Sequence, residues 1–172
     1  LEKVPDIGDL FTFAAAVAAA HAIEKCTGLH ARLKWPNDVV IGNRKTAGIL
    51  LESRRHNAQS DIVIGIGINC NQTREELEEP SFDKPVTSLS AETGKPVDRN
   101  RLAGSMLSEL DRCIRTARNS RIEILDQWKW LSSQLGHRVV LENRSQRFAG
   151  QCIGVDPVEG LIVQLEGGGI RH

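Results

Sequence analysis

The chain has 172 residues, 40% of them hydrophobic, which is enough for one packed domain and a small appendage. Lysine plus arginine and aspartate plus glutamate both total 22, so no net charge draws it towards nucleic acid or a lipid surface. The four cysteines, at 26, 70, 113 and 152, form no CxxC pair and are too widely spaced for a zinc site or a disulfide framework; reduced, mostly buried thiols in a cytoplasmic protein are expected.

Residues 11–23 are the most apolar run, but the run is shorter than the roughly 20 residues that cross a bilayer and contains His21. Asp9 is a fair N-cap, the alanines that follow favour helix, and Gly28 stops it, so a core helix is expected, with His21 in a structural role. No targeting signal, membrane span or internal repeat is seen. Residues 31–35, 39–41, 46–53 and 61–70 then read as strands joined by turns. Pro36 extends Trp35, and Asn37 and Asp38 are turn formers, so Lys34, Asn37 and Asp38 occupy a polar corner. Gly42-Asn43 turns the chain into a return strand carrying Lys45, Ala47, Ile49 and Leu51, and Gly48 within it lets a ligand or another backbone come close. Arg54, Arg55, His56 and Asn57 are placed in a solvated loop.

Residues 71–85 read as an irregular connection without metal-ligand spacing. Residues 86–93 and 98–117 show helical periodicity, the second stretch capped by Asp98 and lined on one face by Leu102, Met106, Leu107, Leu110 and Ile114. A further helix over 122–131 carries Trp128 and Trp130, which cannot share a face; one is expected inside and the other against the next domain. From His137 the period becomes alternating, giving short strands with hairpin turns at 143–146 and 156–160.

Two motifs resemble the biotin protein ligase family. Lys-Trp-Pro-Asn-Asp at 34–38, followed by Arg44-Lys45-x-Ala47-Gly48-Ile49-Leu50, is similar to the family's central motif, and Ile-Val-Ile-Gly-Ile-Gly-Ile-Asn at 62–69 to its glycine-rich strand ending in an adenine-contacting asparagine. Gly65-x-Gly67 is not a dinucleotide fingerprint, because Cys70 replaces the third glycine and no helix follows directly. The resemblance implies an α+β fold: a mixed β-sheet with helices forming part of the ligase catalytic domain over 1–133, then a small SH3-like β-barrel over 134–172. It also implies the family's activity, in which biotin and ATP give biotinyl-5'-AMP and biotin passes to a lysine of a biotin carboxyl carrier protein, with Mg²⁺ assisting and a homodimer among the family's assemblies.

Carried over by position, Lys45, Lys34 and Asp38 are the catalytic candidates; Lys45, Gly48, Ile49 and Gly65 face biotin; Asn37, Ile68 and Asn69 face ATP; Asp38 is the Mg²⁺ candidate. The chemistry suits these types. A carboxylate attacking an α-phosphate brings two anions together, which a lysine stabilises, while a carboxylate suits a hard cation and an amide can donate and accept on adenine's edge. On composition alone Lys45 is a solvated hairpin residue and Lys34 with Asp38 an ordinary ion pair. The family's Gly-Arg-Gly-Arg loop is absent, as are a winged-helix segment and the final strand, so a ligase fragment is expected. A non-catalytic binding or regulatory relative is the alternative, and a lipoate-type ligase is disfavoured by the 34–38 motif.

Overall fold

The structure, a computed structural model, describes residues 7–56, 59–77, 85–143 and 146–172. It opens on α1, Ile7–Thr27, whose alanines and Val17 are buried around almost the whole circumference; Ala14, Ala15, Val17, Ala18, Ala19 and Ala22 have no exposed surface. A helix without a wet face must be covered on all sides, and small side chains let its neighbours come close. The helix begins before Asp9, so Asp9 lies in its first turn instead of capping it, while Gly28 ends it at φ 75° with its N–H donating to the Glu24 carbonyl.

One side of α1 is covered by sheet A, built from β1 (Ala31–Lys34), β2 (Asp38–Ile41), β3 (Arg44–His56) and β4 (Gln59–Ile68) in sequential antiparallel order. Gly42 makes the expected β2–β3 turn at φ 59°. The β3–β4 hairpin is longer than its sequence suggests, because Arg54 to His56 pair with Asp61 to Gln59 instead of forming a loop; Asn57 lies outside the described residues. Register sends Ala47, Ile49, Ile66 and Ile68 towards α1 and leaves Gly48, Leu50, Val63, Gly65 and Gly67 on the outer face. Leu50 and Val63 there are 60% and 66% exposed, and β4 pairs with β3 alone, so among the described residues sheet A has an apolar outer face and an open edge at β4.

The stretch 71–85 is not wholly irregular: α2, Arg74–Leu77, is one helical turn, and residues 78–84 lie outside the described set. Nor is 86–93 helical throughout. Val86 forms a parallel bridge with Lys45, and only α3, Leu89–Thr93, is helix, because Ser88 caps it by accepting from the Ala91 N–H. The second side of α1 is covered by α4, Arg99–Asn119, capped by Asp98 as expected, and α5, Arg121–Leu131. α4 runs antiparallel to α1, with Cys26 beside Arg101, His21 beside Glu109 and Phe11 beneath Arg118.

Sheet B follows: β5 (Arg138–Asn143), β6 (Gln146–Asp156), β7 (Gly160–Leu165) and β8 (Ile170–Arg171), an antiparallel meander. The SH3-like barrel is corrected here: the described residues form an open four-stranded sheet, since β5 and β8 each have a single partner. Among the described residues parallel pairing appears only as two single bridges on sheet A, Leu33 with Ser132 and Lys45 with Val86. Val139, Cys152, Val155, Leu161 and Val163 join the buried cluster of the helices, so the core is continuous across residue 134. The turn after Asp156 forms as expected, Asp156 accepting from the Val158 and Glu159 N–H groups, and Gly160 at φ 99° closing it. All four cysteines are free, Cys113 and Cys152 buried and the other two half-buried.

The two tryptophans of α5 separate as their spacing requires, but the outer one does not reach the next domain. Trp128 is 3% exposed and its ring centre lies 5.3 Å from that of Phe13, whereas Trp130 is 73% exposed with the Arg32 guanidinium over it. Trp128→Ala is therefore expected to cost about 3–5 kcal/mol, the figure for emptying a large aromatic site. Trp130→Ala should stay within about 1 kcal/mol, the worth of an exposed cation–π contact. Urea denaturation of both variants checks the difference.

Candidate active site

The corner between β1 and β2 is fixed before any of its polar side chains is considered. Trp35 packs against Phe13, ring centres 6.0 Å apart, and its backbone N–H donates to Gln134 Oε1 at 2.6 Å. Ser133 bonds the Leu33 carbonyl through both its N–H, at 2.8 Å, and its hydroxyl, at 3.0 Å. Asn37 is locked to β3, its carbonyl accepting from the Ile49 N–H and its amide donating to the Ile49 carbonyl, both at 2.9 Å. The segment 132–134 gave no sequence signal for this work, since it reads as a polar linker.

On that frame the outer face of sheet A carries an ion pair. Asp38 opposes Gly48 across the β2–β3 ladder, and Lys45 comes beside them because a bulge at Val39/Val40 inserts Thr46 into β3. Lys45 Nζ lies 2.5 Å from Asp38 Oδ1, the Asp38 side chain 9% exposed and the Lys45 side chain 39%. Gly48 makes this packing feasible: a Cβ there would stand 3.3 Å from Lys45 Nζ and 3.4 Å from its Cε. A carboxylate this buried needs its cation, and the exposed side of the ammonium remains open to an anion.

Beyond the pair the face becomes a trough. Gly48 opposes Gly67, and Leu50 opposes Gly65. A Cβ on Gly67 would meet nothing within 4 Å, and one on Gly65 only Leu50 at 3.7 Å and beyond. The result is an apolar groove floored by glycine backbone, with Leu50 and Val63 at one end and Lys45 with Asp38 at the other. Lys45, Asp38, Gly48 and Gly65 are thus brought together. Ile49 is not: at 2% exposure its side chain belongs to the core, and its backbone groups are bound by Asn37.

Lys34 opposes Asp38 in register without ion pairing to it; its side chain lines a cleft of about 270 Å³ with Val40, Asn43, Gln134, His137 and Arg138. The ion pair expected between Lys34 and Asp38 is made by Lys45 instead. Ile68 packs on the core, and Asn69 sits beyond the far end of β4, its amide donating to the Thr87 carbonyl at 3.1 Å while its backbone bonds Thr46 and Leu89. One amide hydrogen and Oδ1 of Asn69 remain for a ligand.

Sequence reasoning missed the brace behind Asn69. Arg44 grips Glu92 in a two-pronged pair at 3.0 and 2.7 Å, and the Thr87 hydroxyl donates to the same carboxylate at 2.5 Å. Burial acts to raise the Glu92 pKa, and the bonds from Arg44 and Thr87 outweigh it, holding the carboxyl below its ordinary value. Ser88 followed by the short run to Thr93 carried the one available signal, a cap. For metal binding, Asp38 has no second His, Cys or acidic side chain near enough to complete a three-ligand set among the described residues.

A model of the biotin/lipoate A/B protein ligase family matches residues 5–69. The bifunctional ligase/repressor BirA of Bacillus subtilis is 31% identical over 175 residues, taking in 99% of this chain and 51% of that protein. The biotin-(acetyl-CoA-carboxylase) ligase of Mycobacterium tuberculosis is 38% identical over 110 residues, 64% of this chain and 38% of that one. Among solved structures, the biotin protein ligase from Aquifex aeolicus in complex with biotin and ATP has the same fold at TM-score 0.77 and 26% identity, over 94% of this chain and 66% of that one. The chain spans about half the length of the BirA relatives it matches. With the paired Lys45 and Asp38 beside a glycine trough, the two motifs, their relatives and the fold agree, and together they support a place for this chain in the biotin protein ligase family.

Proposed function

We propose that this chain supplies the adenylating centre of an ATP-dependent biotin protein ligase, which joins biotin to AMP and then transfers it to a lysine of a biotin carboxyl carrier protein. The observation that carries the reading is the Lys45 ammonium, held by Asp38 at the mouth of an open, glycine-floored groove. A flat bicyclic urea with an aliphatic tail needs such a floor, and its carboxylate needs a cation at one end. The complex of the Aquifex aeolicus ligase with biotin and ATP supports the choice of substrates.

In this reading biotin lies over Gly48, Gly65 and Gly67 with its carboxylate at Lys45. Adenine is read by Asn69, aided by the backbone at Ile68 and the locked Asn37. The biotin carboxylate oxygen attacks the α-phosphate, forming the acyl–phosphate bond as pyrophosphate leaves. Lys45 stabilises the charge that develops between the two anions, and Lys34 stands beside the phosphates. The acyl carbon is then attacked by the carrier lysine's amine, and AMP departs. Asp38 suits Mg²⁺ as a single carboxylate ligand, because such an ion keeps most of its shell in substrate phosphate and water; when bound it would neutralise phosphate charge. Asp38 also positions Lys45, which it does whether or not a metal is present.

Two variants test the centre, measured on the chain joined to the length that its relatives carry beyond it. Lys45→Gln keeps reach and some hydrogen bonding but loses the charge, so biotinyl-adenylate formation should slow by about a hundredfold, ~3 kcal/mol. Transfer from synthetic biotinyl-adenylate to the carrier should suffer less, whereas a folding defect would depress both steps together. Wild-type rates in both half-reactions would make Lys45 a solvated hairpin residue and remove the proposal's centre.

Gly67→Val addresses the groove. The new side chain meets nothing within 4 Å and suits a strand, so the melting temperature should not fall. Biotin binding should nonetheless weaken by about 2 kcal/mol, roughly thirtyfold, as expected for overpacking a fitted surface. Isothermal titration with biotin decides it, and unchanged affinity would place biotin elsewhere.

A further inference from the structure

A polar cluster interrupts the packing of α1 on α4. His21 from α1 and Glu109 and Cys113 from α4 bring a ring nitrogen, a carboxylate oxygen and a sulfur within 4.8 Å of one another. Glu109 and Cys113 are four residues apart and so lie on one face of α4. Cys113 is wholly buried, while the side chains of His21 and Glu109 keep 29% and 14% exposure.

All three accept hydrogen bonds from a single guanidinium. Arg112 donates from Nε to Glu109 Oε2 at 2.9 Å, and from one terminal nitrogen to His21 Nδ1 at 2.8 Å and to Cys113 Sγ at 3.4 Å. For Nδ1 to accept, the His21 ring must be neutral with its proton on Nε2. Three lone pairs from two helices therefore converge on the Arg112 guanidinium, while Lys25 Nζ stands 3.7 Å from the other Glu109 oxygen.

We infer that this cluster is a site for a borderline-soft divalent ion of the zinc class, bound by His21 Nδ1, Glu109 and Cys113 Sγ in place of the Arg112 guanidinium. A nitrogen, an oxygen and a sulfur make a ligand set that four-coordinate Zn²⁺ accepts, with the fourth position going to water on the His21 side. Hard Mg²⁺ and Ca²⁺ have no use for the sulfur. Metal–ligand bonds of about 2.0–2.3 Å put the ligand atoms about 3.5 Å apart, so the three side chains close by about an ångström.

Arg112 can withdraw without unpacking the core. Its side chain is 45% exposed, and Glu123 of α5 is near enough to attract its charge. Binding the sulfur as thiolate releases one proton to solvent, and the ion replaces both that proton and the guanidinium. An ion here joins the two helices that enclose the core. It lies outside the groove at Lys45, so its fate is independent of the proposed ligase chemistry.

The test is titration of the protein with Co²⁺, whose tetrahedral complexes absorb in the visible and whose thiolate bond adds a charge-transfer band. One equivalent is expected to raise both signals, and Zn²⁺ to bleach them. Arg112→Ala, which removes the competing cation from a part-exposed position, should tighten binding by roughly tenfold, and His21→Gln should weaken it by at least as much. Cys113→Ser should erase the charge-transfer band; where that buried substitution prevents folding, the opposite effects of Arg112→Ala and His21→Gln decide. No thiolate band at saturating Co²⁺ in either the wild type or Arg112→Ala would overturn the site. So would a band indifferent to His21→Gln, which would assign it to another of the free cysteines.

Discussion

Sheet A, α4 and α5 are arranged around a helix that from Leu10 to Ile23 has almost no side to give to water. α1 is buried on the face towards sheet A and on the face towards α4 and α5, and its alanines contribute little area individually. At about 25 cal/mol per Å² an alanine methyl is a modest driving force, so the helix is held by neighbours it allows to come close more than by its own hydrophobicity. That constraint sets the rest. Sheet A must turn Ala47, Ile49, Ile66 and Ile68 inward, and a strict period of two then sends Gly48, Gly65 and Gly67 outward. The open groove is a consequence of how α1 is covered.

The bulge at Val39/Val40 adds the charge. Without an extra residue in β3, Lys45 would not stand beside Asp38 on the groove side. The cost falls on Thr46, fully buried with its hydroxyl lacking a hydrogen-bond partner among the described residues. An unpaired buried hydroxyl costs about 1–3 kcal/mol, and bulges next to functional centres commonly re-aim a side chain at such expense. Gly48 completes the arrangement by yielding the volume that the Lys45 ammonium fills. Three backbone features, a bulge, a missing Cβ and a cross-strand register, thus hold one cation in place before any substrate arrives.

The parts legible in the sequence were those with short periods. β-branched runs between turns marked β1 to β4, the alanines marked α1, and Asp98 marked the start of α4. Illegible were contacts set by distant segments. Val86 reads as the start of a helix until its bridge to Lys45 is seen, and Arg54 reads as a loop residue until its pairing with Asp61 is seen. Ile49 shares the motif with Lys45 and by plain alternation would share its face; the bulge that inserts Thr46 turns Lys45 outward while Ile49 stays in the core, and nothing local in the sequence marks that bulge. His21 looked structural because its partners lie about 90 residues away on another helix.

The same distance argument explains why the corner at Trp35 belongs to more than one part of the chain. Its ring touches Phe13 of α1 on one side, and on another a Cβ added to Gly160 of sheet B would come within 3.3 Å of it. Its backbone N–H is held by Gln134, in the segment that joins α5 to sheet B. Asp38, three residues on, inherits its position from these contacts, and Lys45 inherits its position from Asp38. Arg121 at the start of α5 also lies 3.9 Å from Asp156, at the turn that carries Gly160. A small shift of sheet B against the helices would therefore reach Trp35 before it reached solvent, because packed interiors transmit displacement instead of absorbing it. Sheet B thus acts as a support for the corner that orients the cation, which is a reason for the chain to keep a second sheet whose own strands lie outside the candidate site.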